Sequence, residues 1–155
     1  MVNIRTVCVN VVAVVALGLL LLVQTGVAAD TVPTPKEFGV YAKTSKGLKR
    51  ILPNIVSDQD EVFYLEPNNP QKFPLGSVDY FVINGDYDMR YLTLNPLKPF
   101  QLSPVGNPRV MFGKDMEITV AKKGEALYTV KPKGLFGRGY YAIWINDTAW
   151  DFLIE

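Results

Sequence analysis

Carboxylates are the side chains of this sequence with potential for chemistry, because the chain has no His and its single Cys is Cys8. Cys8 lies in a segment that predicts a cleaved signal peptide, so the mature chain would have neither imidazole nor thiolate groups, and the usual nucleophile–base pairs and zinc sites could not be built. Asp58 and Asp60 lie in one acidic run, and Asp86 and Asp88 flank a tyrosine. Paired carboxylates can hydrolyse glycosides or bind Ca²⁺. The acidic run lacks the glycine and distal glutamate of an EF-hand, so solvated loop acid is the preferred interpretation.

The glycine-rich segment 134–139 is the second motif with chemical potential, since a glycine loop can cradle a phosphate group. A nucleotide-binding loop also needs Lys-Ser or Lys-Thr after it and then a helix. Residues 140–144 instead have the aromatic and β-branched composition of a strand. The glycines therefore predict a turn into the last hairpin, and we expect no cofactor and no metal ion.

Residues 1–29 have the order of a secretory signal peptide. Arg5 is the only charge before an apolar stretch at residues 7–23, and Val27 and Ala29 stand at the minus three and minus one positions of a cleavage site. The alternative is an uncleaved membrane anchor, for which the stretch is short of the roughly 20 residues that a spanning helix needs. The pattern predicts export to the periplasm or the cell exterior.

Cleavage after residue 29 leaves 126 of the 155 residues, which is the size of one domain. Only Arg5 is lost from the basic residues, so 15 Lys and Arg face 15 Asp and Glu. Nucleic-acid binding demands a basic face, and this balance argues against it. Membrane contact is expected only through the signal segment, if that segment stays uncleaved.

Residues 30–36 contain Pro33 and Pro35 and predict a linker, and residues 37–155 predict one all-β domain. Short β-branched and aromatic runs separated by turn residues favour a sandwich or a barrel, and a single antiparallel β-sandwich is the preferred interpretation. The predicted strands are 37–43, 48–52, 62–66, 78–83, 87–94, 109–112, 116–121, 126–131, 139–145 and 148–154.

Asn84 and Gly85 suit a type I′ turn, and they predict a hairpin over residues 78–94 with Val82 opposite Tyr87. This register places only apolar residues on one face of the hairpin. A slip of one residue would mix the two faces.

A second hairpin is predicted over residues 116–131, with a three-residue loop at 122–124. Gly124 would take the left-handed position that such loops favour. Ile118 would then lie opposite Tyr128, again with the apolar residues on one face.

A third hairpin is predicted over residues 139–154, with its turn at Asn146 and Asp147 and with Ile143 opposite Trp150. Its second face is also largely apolar, which indicates either a strand pair covered on both sides or an interface. Covering on both sides is the preferred interpretation. The candidate partner-binding residues on that face are Tyr140, Trp144 and Leu153.

Two proline-broken stretches, 66–76 and 95–108, predict long loops. Pro96 and Pro99 lie in the second stretch. Because proline has no amide hydrogen to donate, that stretch is not expected to form a central strand.

Two segments resemble known proteins. Pro35 to Ala42, followed by Gly47 and Leu48, resembles the opening of some uncharacterised exported bacterial proteins. Gly139 to Ile143, together with Trp150-Asp151-Phe152, resembles the last hairpin of immunoglobulin-like bacterial surface domains. The resemblance covers about a quarter of the mature chain. It implies an immunoglobulin-like β-sandwich and brings no catalytic residues with it.

The sequence thus predicts a non-catalytic exported binding or structural module that contacts a protein or the cell envelope, with self-association as one form of such contact. The alternative is a small exported hydrolase or carbohydrate-binding domain that uses aromatic residues and the loop carboxylates Asp58, Asp60, Asp86 and Asp88. The alternative requires at least two of these carboxylates to converge in a cleft.

Overall fold

The computed structural model describes residues 31–100 and 108–155. Most of its strands coincide with runs that are rich in β-branched and aromatic residues. Residues Pro33–Glu155 form one compact unit. A short 3-10 helix covers Met89–Tyr91. The strands are β1 (Gly39–Thr44), β2 (Gly47–Ile51), β3 (Asn54–Ile55), β4 (Ser57–Gln59), β5 (Val62–Leu65), β6 (Gln71–Phe73), β7 (Val78–Asn84), β8 (Thr93–Pro99), β9 (Val110–Phe112), β10 (Ile118–Lys122), β11 (Leu127–Pro132), β12 (Gly139–Ile145) and β13 (Thr148–Ile154).

The strands form two sheets, and the prediction of an all-β domain with antiparallel sheets is confirmed. The first sheet has the order β10-β11-β7-β1-β2. The second has the order β3-β13-β12-β8-β9-β5-β4, and β6 adds a parallel pairing to β13. The signal peptide predicted at residues 1–29 lies outside the described residues.

The main core lies between the two sheets. Side chains alternate along a strand, so each sheet buries every second residue against the other. Phe81 and Ile83 of β7 pack in one cluster with Tyr141 and Ile143 of β12 and with Phe152 of β13. The aromatic rings of this cluster contact one another across the two sheets. Because no disulfide joins the described residues, these contacts hold the sheets together.

A second, smaller core lies on the other face of the second sheet, because that sheet curls until it is nearly closed. Leu65, Leu97, Ala142 and Ala149 are buried there. Asn54 of β3, at one edge of the second sheet, contacts the residue that follows β5, because its Nδ2 donates a hydrogen bond of 3.1 Å to the carbonyl oxygen of Glu66. The last hairpin is therefore covered on both sides.

The third predicted hairpin is confirmed with its register. Ile143 lies opposite Trp150, and Ile145 lies opposite Thr148. Asn146 takes φ 56° in the turn. Asparagine tolerates this left-handed conformation better than most residues.

The second predicted hairpin forms, but its register is wrong. Ile118 lies opposite Pro132, four residues beyond the predicted Tyr128. The faces are unchanged, because four residues are a whole number of strand repeats. Gly124 is outside the left-handed region, and the amides of Lys123 and Gly124 instead donate to the carbonyl oxygen of Leu127.

The first predicted hairpin is wrong. Val82 lies opposite Tyr41 of β1 and Thr129 of β11, so β7 is a central strand of the first sheet. A type I′ turn needs two successive positive φ angles, and of the pair Asn84-Gly85 only Gly85 has one. The chain leaves β7 here through the short helix and enters the second sheet.

The prediction that residues 95–108 contain no central strand is wrong for Asn95 to Pro99. These residues belong to β8, which lies between β12 and β9. The carbonyl oxygen of Pro96 accepts a hydrogen bond from the Gly113 amide, but Pro96 has no hydrogen to return. The Asn95 side-chain amide donates to the Gly113 carbonyl oxygen instead, at 3.0 Å. A side chain thus replaces the missing ladder bond.

We predict that Asn95→Ala lowers the free energy of unfolding by about 1–3 kcal/mol, because buried polar groups lose their partners. Besides Gly113, Asn95 bonds to Asp115 and accepts from Thr93. Denaturant unfolding of the purified protein measures the effect, with Asn68→Ala in an exposed loop as the control. A change below about 0.5 kcal/mol, which is typical of surface sites, would contradict this role.

Candidate functional site

The three predicted partner-binding residues all lie on the face of the second sheet that carries the smaller core, inside its curl. Tyr140, Trp144 and Leu153 are half-buried. Trp144 stacks on Phe112 with ring centroids 4.4 Å apart, and Phe63 packs at 5.3 Å. Its indole nitrogen donates to the carbonyl oxygen of Asn146. The indole is therefore engaged within the chain, and little of its surface is left for a partner.

Asp151 lies on the same face and is buried, with an exposure of 5%. Its Oδ1 accepts a 3.3 Å hydrogen bond from Asn54, whereas its Oδ2 has no partner among the residues that the structure describes. Burial raises the pKa of the Asp151 carboxyl, against the lowering effect of the Asn54 hydrogen bond. Burial, and then the charge of Asp151, raises the pKa of Tyr140 to about 12. The strand pattern of the sequence places Asp151 on this largely apolar face, but it does not reveal that the carboxyl is buried with one oxygen left without a partner among the described residues.

The four candidate carboxylates lie at two turns. Asp58 and Asp60 are exposed on β4 and in the turn that follows it. Asp86 and Asp88 lie between β7 and the short helix, where the Arg90 side chain hydrogen-bonds to Asp88 and lowers its pKa to about 2. Within residues 31–100 and 108–155, no group of three acidic, His or Cys side chains is placed to hold a metal ion.

A cleft of about 820 Å³ opens at the end of the sandwich where β7 begins and β11 ends, and we call it the end cleft. A volume of this size and a largely apolar lining are typical of ligand sites. The apolar walls are Leu75, Val78, Pro132, Leu135, Phe136 and Ile154, and the polar side chains are Asp79, Tyr80, Lys131 and Lys133.

The loop of residues 133–138 forms one wall of the end cleft, and Phe136 fixes it. The Phe136 ring makes edge contacts with Phe81 of the first sheet and with Tyr141 and Phe152 of the second, at 5.9, 4.9 and 5.7 Å between centroids. The neighbouring Leu135 is 96% exposed. An anchored loop thus holds an aliphatic side chain in water at the rim of the end cleft.

The prediction that the glycines of residues 134–139 turn the chain into the last hairpin is consistent with Gly139. Its φ of 149° is a conformation that glycine adopts readily and other residues rarely do. The signal that sequence analysis passed over is the pair Leu135-Phe136 within those glycines. One of the two residues packs into the core and the other does not, and only the tertiary contacts distinguish them.

The same end of the sandwich is basic. β7 begins at this end, and its antiparallel pairings place the end of β1 (Thr44 opposite Val78) and the end of β11 (Val130 opposite Phe81) beside its first residues. The β1–β2 turn, the β6–β7 turn and the 133–138 loop therefore meet there. We call this region the basic end. Basic side chains outnumber acidic ones in these segments and their flanking strand ends. The basic ones are Lys43, Lys46, Lys49, Lys72, Lys131, Lys133 and Arg138, and the acidic ones are Asp79, Glu117 and Glu155.

Comparisons with protein-family models, with curated proteins and with solved structures found no match to this chain. Among the described residues, no helix is long and apolar enough to cross a membrane. Fold and site together define an antiparallel all-β protein with a preformed apolar cleft, a protruding leucine and a basic rim.

We predict that Asp151→Asn stabilises the protein at pH 7. Folding raises the pKa of the Asp151 carboxyl, so the protonated carboxyl favours the folded state. This contribution to stability is fully present below the unfolded pKa of about 3.9, and it is lost as the pH rises through the folded pKa. The amide carries no charge into this buried position, so we expect the variant to have the higher free energy of unfolding at pH 7.

Denaturant unfolding of both proteins at pH 7 and at pH 3 measures this effect, and we expect the difference to shrink at the lower pH. Asp60→Asn, in an exposed turn, is the matched control and should change little. A variant less stable than the parent at pH 7 would show that the Asp151 charge is compensated.

Proposed function

We propose that this chain is an exported, non-catalytic binding module, and that the end cleft is its binding site. The observation that carries the proposal is Leu135, which a core-anchored loop holds in solvent beside an apolar cleft. An exposed aliphatic group in a fixed position lowers the entropy lost on binding, since little has to be ordered. The partner brings an apolar group that fills the cleft between Leu75 and Leu135.

The proposal of a binding rather than a catalytic role is supported by the chain's side chains. The sequence has no His, and Cys8 lies within the first 29 residues. The carboxylates that the hydrolase alternative would use lie at exposed turns, away from the residues that line the end cleft. Among the residues in ranges 31–100 and 108–155, Asp79 is the one acidic residue that lines the end cleft, and a glycosidase needs two carboxylates.

Export is part of the proposal and rests on the residue pattern of positions 1–29, which suits delivery to the periplasm or the cell exterior. An immunoglobulin-like class is the finer fold prediction. It is supported by the two antiparallel sheets, whereas the nearly closed curl of the second sheet departs from a simple sandwich.

The end cleft is a better candidate than the aromatic face of the last hairpin. Trp144 lies against Phe112 and Phe63, and its indole nitrogen already has an acceptor. Leu135, by contrast, is 96% exposed. Burial of one leucine side chain by a partner contributes about 1.5–3 kcal/mol, so Leu135 is a source of binding energy at this end.

We predict that monomeric octyl glucoside, an uncharged alkyl probe, binds in the end cleft. Amide chemical shifts measured by NMR on the purified protein should change most at Leu75, Lys133 and Leu135. Leu135→Ser should weaken binding roughly tenfold or more, because the alkyl chain loses an apolar wall.

The matched control is Leu52→Ser, which removes another exposed leucine from the segment between β2 and β3. It should leave the affinity unchanged. Shift changes centred on Trp144 and Phe63, or an affinity that does not respond to Leu135→Ser, would overturn the end cleft as the site.

A further inference from the structure

We propose that the basic end docks on the surface of an anionic phospholipid bilayer, with Leu135 inserted among the lipid chains and the surrounding lysines against the headgroups. This inference rests on the proposed function and names its partner. It adds a membrane contact to the one that sequence analysis expected through the signal segment alone.

The first support is the fixed protrusion of Leu135. Phe136 packs against both sheets, and the Tyr141 hydroxyl donates to the carbonyl oxygen of Gly137 at 3.2 Å, so the loop is fastened on the carboxyl side of Leu135. On the other side, the Lys133 amide donates to the carbonyl oxygen of Glu117 at 2.9 Å. An aliphatic side chain held out between two fastened points is suited to insertion in a hydrocarbon layer.

The second support is the charge around this tip. Lys131 and Lys133 line the end cleft, Arg138 is the last residue of the loop, and Lys46 is exposed in the β1–β2 turn at the same end. The Lys133 ammonium pairs with Glu117 at 3.1 Å, but both side chains are mostly exposed, and such pairs contribute little. The Lys133 ammonium can therefore exchange Glu117 for a lipid phosphate, and each basic residue near an anionic surface is attracted to it.

A bilayer fits these residues better than a nucleic acid does. Single-stranded nucleic acids are held by aromatic rings on which bases stack, and the exposed tip side chain is an aliphatic leucine. Leu75, half-exposed beside the end cleft, adds a second aliphatic contact. Lysines around protruding leucines are the composition of interfacial membrane anchors.

The test places an environment-sensitive nitrobenzoxadiazole dye at residue 135, through Leu135→Cys in a Cys8→Ser background of the full chain. Vesicles of phosphatidylcholine with phosphatidylglycerol should shift the dye emission to the blue, and vesicles of phosphatidylcholine alone should shift it much less. Because the dye reports locally, attachment through the apolar residues 7–23 does not by itself produce this shift.

The matched control carries the dye at Glu125→Cys, in the turn between β10 and β11 at the opposite end of β7. This dye should keep its aqueous emission on both kinds of vesicle. In the Leu135→Cys protein, the added pair Lys131→Gln and Lys133→Gln should weaken the vesicle affinity roughly thirtyfold, since each lysine near an anionic surface contributes a factor of about five to six.

An unshifted dye at residue 135 on anionic vesicles would overturn the inference, as would equal shifts at residues 135 and 125. If octyl glucoside still binds in the end cleft in that case, the proposed function stands and the partner is a protein or a soluble amphiphile. If octyl glucoside also fails to bind, both proposals are wrong.

Discussion

The packing of the Phe136 ring between the two sheets is the contact on which the proposed site depends. It meets Phe81 of the first sheet and Phe152 of the second, so one ring closes the end of the main core and fastens a loop. With Phe136 packed into the core and the loop fixed by that contact, the neighbouring Leu135 is left 96% exposed. Core packing and surface chemistry are thus coupled within two residues of the chain.

The rest of the fold supports this arrangement at longer range. β8 passes between β12 and β9 despite its prolines, because Asn95 donates the bond that Pro96 cannot. That placement holds the second sheet in its curl and keeps β12 and β13 buried on both faces. Phe136 therefore packs on strands that are covered on both sides, and its position is well determined.

Sequence reasoning succeeded where structure depends on neighbouring residues. The last hairpin was predicted residue for residue, because a tight turn at Asn146 joins two strands of strong apolar character. It failed where a distant group decides the outcome. Asn95 bonds to Gly113 across 18 positions, and no local pattern reveals that a side chain will replace a proline amide. The end cleft was missed for the same reason, since Leu135 and Phe136 look equivalent until the core selects one of them.

The central claim is that the 133–138 loop is preorganised with Leu135 exposed, and backbone order parameters from NMR relaxation of the free protein test it most directly. The account predicts values near those of the strands, about 0.85, for residues 134–137. Values below about 0.6 would show a loop that samples many conformations on the nanosecond timescale. The exposure of Leu135 would then be incidental, and the site built on it would have no structural basis.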